Sequence, residues 1–558
     1  MATKSNLKKR KNPPFGRFPI SKRVAAPRTS YVKLVVYHYA KQNFGVASNI
    51  RARFRSADIW ETEVFTIPET SVASVNIAKQ IANPSGTFDI MLFPGENWKQ
   101  KVSPGDWVAI YFYNQEETSP FSKTDPTNLV MMGNIDRIAK SMTRNEDDDK
   151  LEVRYQVSGR NFGKVFEETE LWFDPYAVQE NTLDATLRKA GLEIIGNPTS
   201  QIDQLLNIFL GGGQNYGKGG RTKPLKQWRI PTELSELFGV DNYAIDSEEP
   251  LFFDVMKKEI EKNLPGYKTR NMLSLGSNGN LWTMLQKSSN SIVNEIFLEE
   301  VRTDDGKAFP TIVVRPRPFT TPFFDSQFGK ELSLKGLLND KHTTLQDLSK
   351  ESFLELTQAE IFFDNTGKDD HSRFNMFTLM SNRATDYTRS IYAGKNSKGQ
   401  IGNPFFQRES VNRYGLKRLE DILDFDQPTG KIKEVTSELQ LFKAFMAQMY
   451  DFHYANHLYE NGTMETSGVL EAELGKTLVV LPDVGSEAKK KIYYIEGYEH
   501  KWQFPSTWRT VFTVTRGQYQ TSDLNIFIDV EGSRVTDFGK NDTDFDGTYL
   551  AKTEYRKQ

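Results

Sequence analysis

From Tyr31 onward the chain is written in short runs of β-branched, aromatic and aliphatic residues, cut at close intervals by Gly, Pro or Asn, and this punctuation confines it to β-rich folds. The runs Tyr31 to Ala40, Arg51 to Ile67, Thr87 to Phe93, Trp107 to Tyr113, Leu129 to Ile138 and Leu151 to Ser158 predict the strands of a small barrel or sandwich. In the last run Leu151, Val153, Tyr155 and Val157 alternate with Glu152, Arg154, Gln156 and Ser158, the period of a strand with one dry face. The run at Trp107 has no wet face. Val108, Ile110 and Phe112 oppose Trp107, Ala109, Tyr111 and Tyr113, so another domain or another subunit must cover its second side.

Further β runs are predicted at Phe353 to Phe363, Asn375 to Met380, Leu470 to Leu481, Lys491 to Tyr498 and Thr510 to Thr515. Helical patches occur at Thr182 to Ala190 and Gln201 to Leu210. A helix is expected after Asn280 with Leu281, Trp282 and Leu285 on one side, leading into a strand from Thr311 to Val314. The strongest helix signal lies at 437–461. Ser437 and Gln440 form a capping box, Leu441, Phe442, Phe445, Met449 and Phe452 make the apolar face, and Asn461 with Gly462 ends it.

At 558 residues one core is not enough. No window reads as a membrane span and no secretory signal is evident, so a soluble chain made in the cytosol is expected. Absence of Cys excludes disulfides, thiolate zinc sites and cysteine nucleophiles. Residues 1–30 hold nine Lys or Arg and no acid, so the rest carries −11 against a whole-chain charge of −2. The stretch is also broken by Pro13, Pro14, Pro19 and Pro27, which predicts a flexible basic arm.

One internal echo stands out. Gly105-Asp106-Trp107-Val108-Ala109-Ile110 is followed by Gly133 on a strand and then by a strand closing in Ser158-Gly159-Arg160. Gly475-Lys476-Thr477-Leu478-Val479-Val480 is followed likewise by Gly497 and a strand closing in Thr515-Arg516-Gly517, which predicts a duplicated β domain.

Four patterns could carry chemistry, and each reads as something plainer. Gly212, Gly217 and Lys218 have phosphate-loop spacing, but Gly219 stands where the magnesium-binding Ser or Thr is needed. Asp542, Asp544, Asp546 and Gly547 begin like a calcium loop, yet Thr553 holds the twelfth position and Glu554 comes one residue late. His453 and His457 have metal-sharing helical spacing, but Tyr454 follows His453 and no third ligand is indicated. Glu146, Asp147, Asp148 and Asp149 read as a solvated hairpin turn. The expectation is no catalytic residue, no cofactor and no metal.

Taken in order, Ser85-Gly86-Thr87-Phe88, Pro104-Gly105-Asp106-Trp107-Val108, Gly133 to Asp136 and Gly159-Arg160-Asn161-Phe162-Gly163 resemble the first domain of phage baseplate hub proteins. Leu281-Trp282 with Leu285, Val314-Arg315-Pro316-Arg317-Pro318-Phe319, Arg413-Tyr414-Gly415-Leu416, Tyr493-Tyr494-Ile495-Glu496-Gly497 and Thr513-Val514-Thr515-Arg516-Gly517 are similar to that family's later domains.

The resemblance implies a β-rich, multidomain α+β chain with two similar small β-barrel domains and inserted mixed α/β domains. The division expected is a basic arm at 1–30, a first barrel at 31–165, a mixed insertion at 166–275, an α/β domain at 276–345, a second barrel at 346–520 with its helix at 437–461, and an extension at 521–558. It further implies a homotrimer of pseudo-sixfold symmetry that seats a tail tube on a central spike among other baseplate proteins. DNA would pass through its lumen without specific binding, and no membrane would be a partner. Location in the virion tail after assembly in the bacterial host cytoplasm follows from the same likeness. A tail-associated peptidoglycan hydrolase and a spike-hub fusion are the alternatives.

Overall fold

The computed structural model describes residues 30–41, 60–114, 128–144, 151–172, 278–289, 294–302, 308–317, 353–381, 408–423, 456–482, 490–505 and 507–519, with shorter pieces at 195–196, 202, 205, 244–246, 271–272, 405–406, 445, 449, 452–453, 533–537 and 552–555. The arm at 1–29, the Gly211–Gly220 loop, the turn Glu146 to Asp149 and the carboxylates Asp542, Asp544 and Asp546 lie outside the described residues. Among the described residues the protein is mostly β-sheet with few helices.

The first group of strands is β1 (Ser30–Lys41), β2 (Trp60–Ile67), β3 (Val72–Gln80), β4 (Thr87–Leu92), β5 (Trp107–Asn114), β6 (Leu129–Arg144) and β7 (Leu151–Asn161). They pair antiparallel in the order β2-β1-β5-β6-β7-β4-β3. Short strands follow. Here β8 (Glu170–Trp172) pairs with β12 (Asn278–Asn280), and β9 (Ile195–Gly196) pairs with β11 (Asn271–Met272). Then β10 (Ala244–Asp246) runs parallel to one strand of the hairpin β13 (Asn294–Arg302) and β14 (Ala308–Pro316).

The second group is β15 (Phe353–Thr357), β16 (Ile361–Lys368), β20 (Glu460–Ser467), β21 (Thr477–Leu481), β22 (Lys491–Gln503) and β23 (Thr507–Tyr519). Between its members β17 (Met376–Ser381), β18 (Phe405–Phe406) and β19 (Arg418–Leu423) form a separate small sheet, and β24 (Ser533–Asp537) with β25 (Lys552–Tyr555) forms a last pair.

The order β21-β22-β23-β20-β16 repeats β5-β6-β7-β4-β3, and hydrogen bonds fix the correspondence residue by residue. Ile135 N–H donates to Asp106 O at 2.8 Å, and Ile495 N–H donates to Lys476 O at 3.0 Å. Each strand then bulges at the following residue, between Ile135 and Arg137 in β6 and between Ile495 and Gly497 in β22. A second bulge lies between Val72 and Ser74 in β3 and between Ile361 and Phe363 in β16. Bulges bend a strand and fix its register, so two at matching places mark one architecture used twice.

The groups are not separate sheets. Strand β22 outruns β21, and its far half, Gly497 to Gln503, pairs antiparallel with Gln80 to Ser74 of β3 to give one 13-stranded sheet. The core follows the sheet across this joint. Trp502 and Trp508 of the second group are buried with Val32, Leu34, Phe88 and Phe112 of the first, and Trp502 Nε1–H donates to Ser30 O at 3.2 Å.

Several expectations need correction. Phe353 to Phe363 is two strands separated by a 3-10 turn at Gln358–Glu360, because Glu360 caps that turn by accepting from Thr357 N–H and Oγ1. Strands β3, β13 and β20 lie outside the runs predicted from the sequence. The helix at 437–461 does not reach its expected stop, since Asn456–Leu458 is a 3-10 turn and Asn461 already lies in β20. Gly462 is there because a Cβ would lie 2.0 Å from Asn365 O of β16, not to cap a helix. In the echo, Gly497 corresponds to Arg137 and Gly133 to Tyr493, while Ser158-Gly159-Arg160 corresponds to Thr513-Val514-Thr515. Finally, Trp107 to Tyr113 is buried on both faces within a single chain, so a neighbouring subunit is not what covers it.

Candidate functional site

The first set of family-like segments converges on one point. Phe88 fills the space left by Gly133 and Gly159, where an added Cβ would lie 2.2 and 2.5 Å from its ring. Asn161 Oδ1 accepts from both Gly86 N–H and Gly163 N–H at 2.9 Å, tying the end of β7 to the start of β4. Beyond it, Lys164 donates to Asn134 Oδ1 at 2.7 Å and Arg160 donates to Asp136 at 2.7 Å. Asp136 sits on the β6 bulge. Partial burial works against its charge, but Arg160 and Lys164 outweigh that and hold its carboxyl below the usual range. In the second group the matching pair is Glu496, which accepts from Thr515 Oγ1 at 3.0 Å.

A buried polar cluster ties the two groups together at the joint. Lys79 of β3 donates to Glu299 Oε1 of β13 at 2.7 Å, both side chains being nearly inaccessible, and to Val130 O of β6 at 3.3 Å. The other Glu299 oxygen accepts Leu474 N–H at 2.8 Å, and Tyr498 OH of β22 donates to the same carboxylate at 3.2 Å. Four residues earlier, Glu295 accepts from Arg315 and, at 2.7 Å, from Tyr494 OH. Arg315 also donates to Gly475 O at 2.8 Å. Burial alone would lower the Arg315 guanidinium, yet Glu295 and Tyr494 keep it above its ordinary value. Burial pushes the Tyr494 phenol well up, and Glu295 pushes it further.

Glu295 and Glu299 lie on one face of β13 because strand residues four apart point the same way. The β13–β14 hairpin is thereby a strap in which Glu295 and Glu299 gather strands from both groups. Neither carboxylate stands out in the sequence, because Asn294, Glu300 and Arg302 of the same strand are polar too and hide which acids face inward.

The remaining candidates do not assemble. His453 Nδ1 accepts from Asn456 Nδ2 at 3.0 Å, while His457 lies in the 3-10 turn beyond the helical residues. Burial lowers His453 to about 3, helped by Arg516 and Arg317, and lowers His457 to about 4, helped by Arg373. Both rings are therefore neutral at physiological pH. Thr553 and Glu554 lie in β25, opposite Val535 and Arg534. Arg144 pairs with Leu151, so antiparallel strands flank the acidic turn. Among the described residues no group of three or more His, Asp or Glu is placed to hold a metal, and no helix is long and apolar enough to cross a membrane.

No protein-family model and no curated protein matches the chain. Among solved structures it is similar to a tail protein from Neisseria meningitidis MC58, at 10% identity and TM-score 0.39, covering 87% of this chain and 96% of that one. It is similar to the 43 kDa tail protein of prophage MuSo2 from Shewanella oneidensis, at 12% identity and TM-score 0.38, covering 81% and 94%. A Francisella PdpA-VgrG complex matches at 7% identity and TM-score 0.39, covering 89% of this chain and 53% of that one. These three are two tail proteins, one of them from a prophage, and a VgrG complex.

Proposed function

We propose that this chain is the hub subunit of a phage-type tail, a mechanical part in which two related β-barrel domains per chain let three copies present six similar surfaces. The observation that carries the reading is the duplication itself: the same strand order, the same two bulges and the same glycine-led turn occur twice in one chain. Three copies of a twofold-repeated chain reconcile a sixfold tube with a threefold spike with the fewest distinct contacts. The ordered family-like segments support the same role, because those of the first set meet at the Phe88 core and Arg315 of the later set meets Tyr494.

The test is an image of the assembled particle together with the light-scattering mass of the purified chain. The reading expects threefold copies ringing the axis between tube and spike. A single copy in the particle and a monomer in solution at high concentration would sink it.

A further inference from the structure

The joint between β22 and β3 has a counterpart that, among the described residues, the chain does not make with itself. In β22 the near half pairs with β21 and the far half, beyond the bulge, pairs with β3. In β6 the near half pairs with β5, but among the described residues nothing pairs with the same side of its far half, from Arg137 to Met142. In the second group the equivalent of β3 is β16, which pairs with β20 and ends the sheet. Among the described residues each chain therefore offers one edge of each kind.

Both edges are exposed. Met142 is 55% accessible, Phe362 62% and Phe363 55%. Along β16 Thr366 N–H donates to the side chain of Asp364 at 3.0 Å, two residues back on its own strand. Such a local bond satisfies a donor that no neighbouring strand has taken. Long exposed edges are avoided in proteins unless something covers them.

We infer that the far half of β6 in one copy pairs antiparallel with β16 of a second copy, in the register that β22 and β3 use inside the chain. This rests on the ring reading above and specifies its contact. The internal register sets Tyr498 opposite Lys79, His500 opposite Ile77 and Trp502 opposite Val75. Carried over through the matching bulges, it sets Ile138 opposite Lys368, Lys140 opposite Thr366 and Met142 opposite Asp364 of the second copy. One step past the end of β16 it brings Arg137 to Asp369, so opposite charges meet. Because the two edges differ, the contact is head-to-tail, and it closes into a ring only if its rotation divides the circle. Three internal joints alternating with three of these give six similar ladders around one axis.

The chain has no cysteine, so engineered pairs report alone. The full-length variant Met142→Cys/Asp364→Cys, and separately Lys140→Cys/Thr366→Cys, is oxidised with copper-phenanthroline and run on a non-reducing denaturing gel. Met142→Cys/Lys368→Cys is the control, its partners displaced by four residues or about 13 Å. Met142, Lys140, Asp364 and Lys368 are exposed, and circular dichroism checks that each variant keeps the parent spectrum. The expected result is that both matched pairs convert most chains to covalent trimers while the control stays single. A light-scattering trimer that cross-links at neither matched pair, or cross-links best in the control, overturns the edge pairing and leaves the ring reading standing. A monomer both in solution and in assembled tails overturns both.

Discussion

Gly105 and Gly475 hold the same place in the two strand groups. Each has a left-handed backbone, with φ of 94° and 71°, and each donates its N–H to the carbonyl of a β-strand isoleucine, Ile135 at 2.8 Å and Ile495 at 3.0 Å. Their surroundings differ. A Cβ on Gly105 would meet open space, whereas one on Gly475 would lie 2.6 Å from the Arg315 guanidinium and 2.7 Å from the Phe297 ring.

Alanine therefore separates backbone strain from packing. Gly105→Ala should cost about 1 kcal/mol from the left-handed conformation alone. Gly475→Ala should cost about 3 kcal/mol, since the strap must also give way. Equilibrium urea denaturation of both variants checks the order, and equal losses would contradict the packing argument.

The Lys79–Glu299 pair should be strongly coupled. Removing either partner alone, as in Lys79→Met or Glu299→Leu, strands a buried charge and should cost about 3–5 kcal/mol. Lys79→Met/Glu299→Leu should cost clearly less than the sum of its single variants, although Tyr498 OH and Leu474 N–H then lose their acceptor. A double-mutant cycle by denaturation with additive losses would show that the pair is not a unit.

Trp502 is a second-group residue buried in the first group's core. Trp502→Ala should destabilise by about 3–5 kcal/mol. Because the side chain belongs to both groups, heating should still give one transition at a lower temperature. Two separated calorimetric transitions in the parent would mean that the groups unfold independently.

His453 gives a pH dependence with a definite sign. Its folded-state value, lowered to about 3 by burial and by Arg516 and Arg317, lies below the ordinary 6.5, so the unfolded chain takes up the proton first. Its contribution is fully present above about pH 6.5 and is lost as pH falls toward 3. The slope is on the order of 1 kcal/mol per pH unit in that window. His453→Gln should flatten stability against pH there relative to the parent, and parallel curves would count against it. The Asn456 Nδ2 to His453 Nδ1 bond also requires the neutral ring.

How much of this was legible depended on how local each signal was. Strand β7 was plain because Tyr155 and Val157 alternate with exposed Arg154 and Gln156. Strand β3 was hidden because its bulge after Val72 breaks the alternation, leaving Val72, Val75 and Ile77 buried at uneven spacing. Strand β20 was hidden because Met464 is its one large apolar side chain, the rest being held by partners on both sides. The duplication could be read from the glycine-led turns, but its register could not. That register is set by bulges at Asp136 and Glu496, residues with no local signature. The joint pairs residues about four hundred positions apart, and nothing in either stretch names the other.

Strand β22 also determines how the molecule answers to load. Its thirteen residues belong to both groups at once, with no linker between the half that serves β21 and the half that serves β3. Bending one group against the other would have to tear a ladder of seven residue pairs, at about 0.5–1.5 kcal/mol for each hydrogen bond lost. Among the described residues the two groups are thus joined at β22 without a hinge, and load on one is carried into the other through that ladder. In an assembly of such chains, give has to come from places other than this joint, such as the seams between copies.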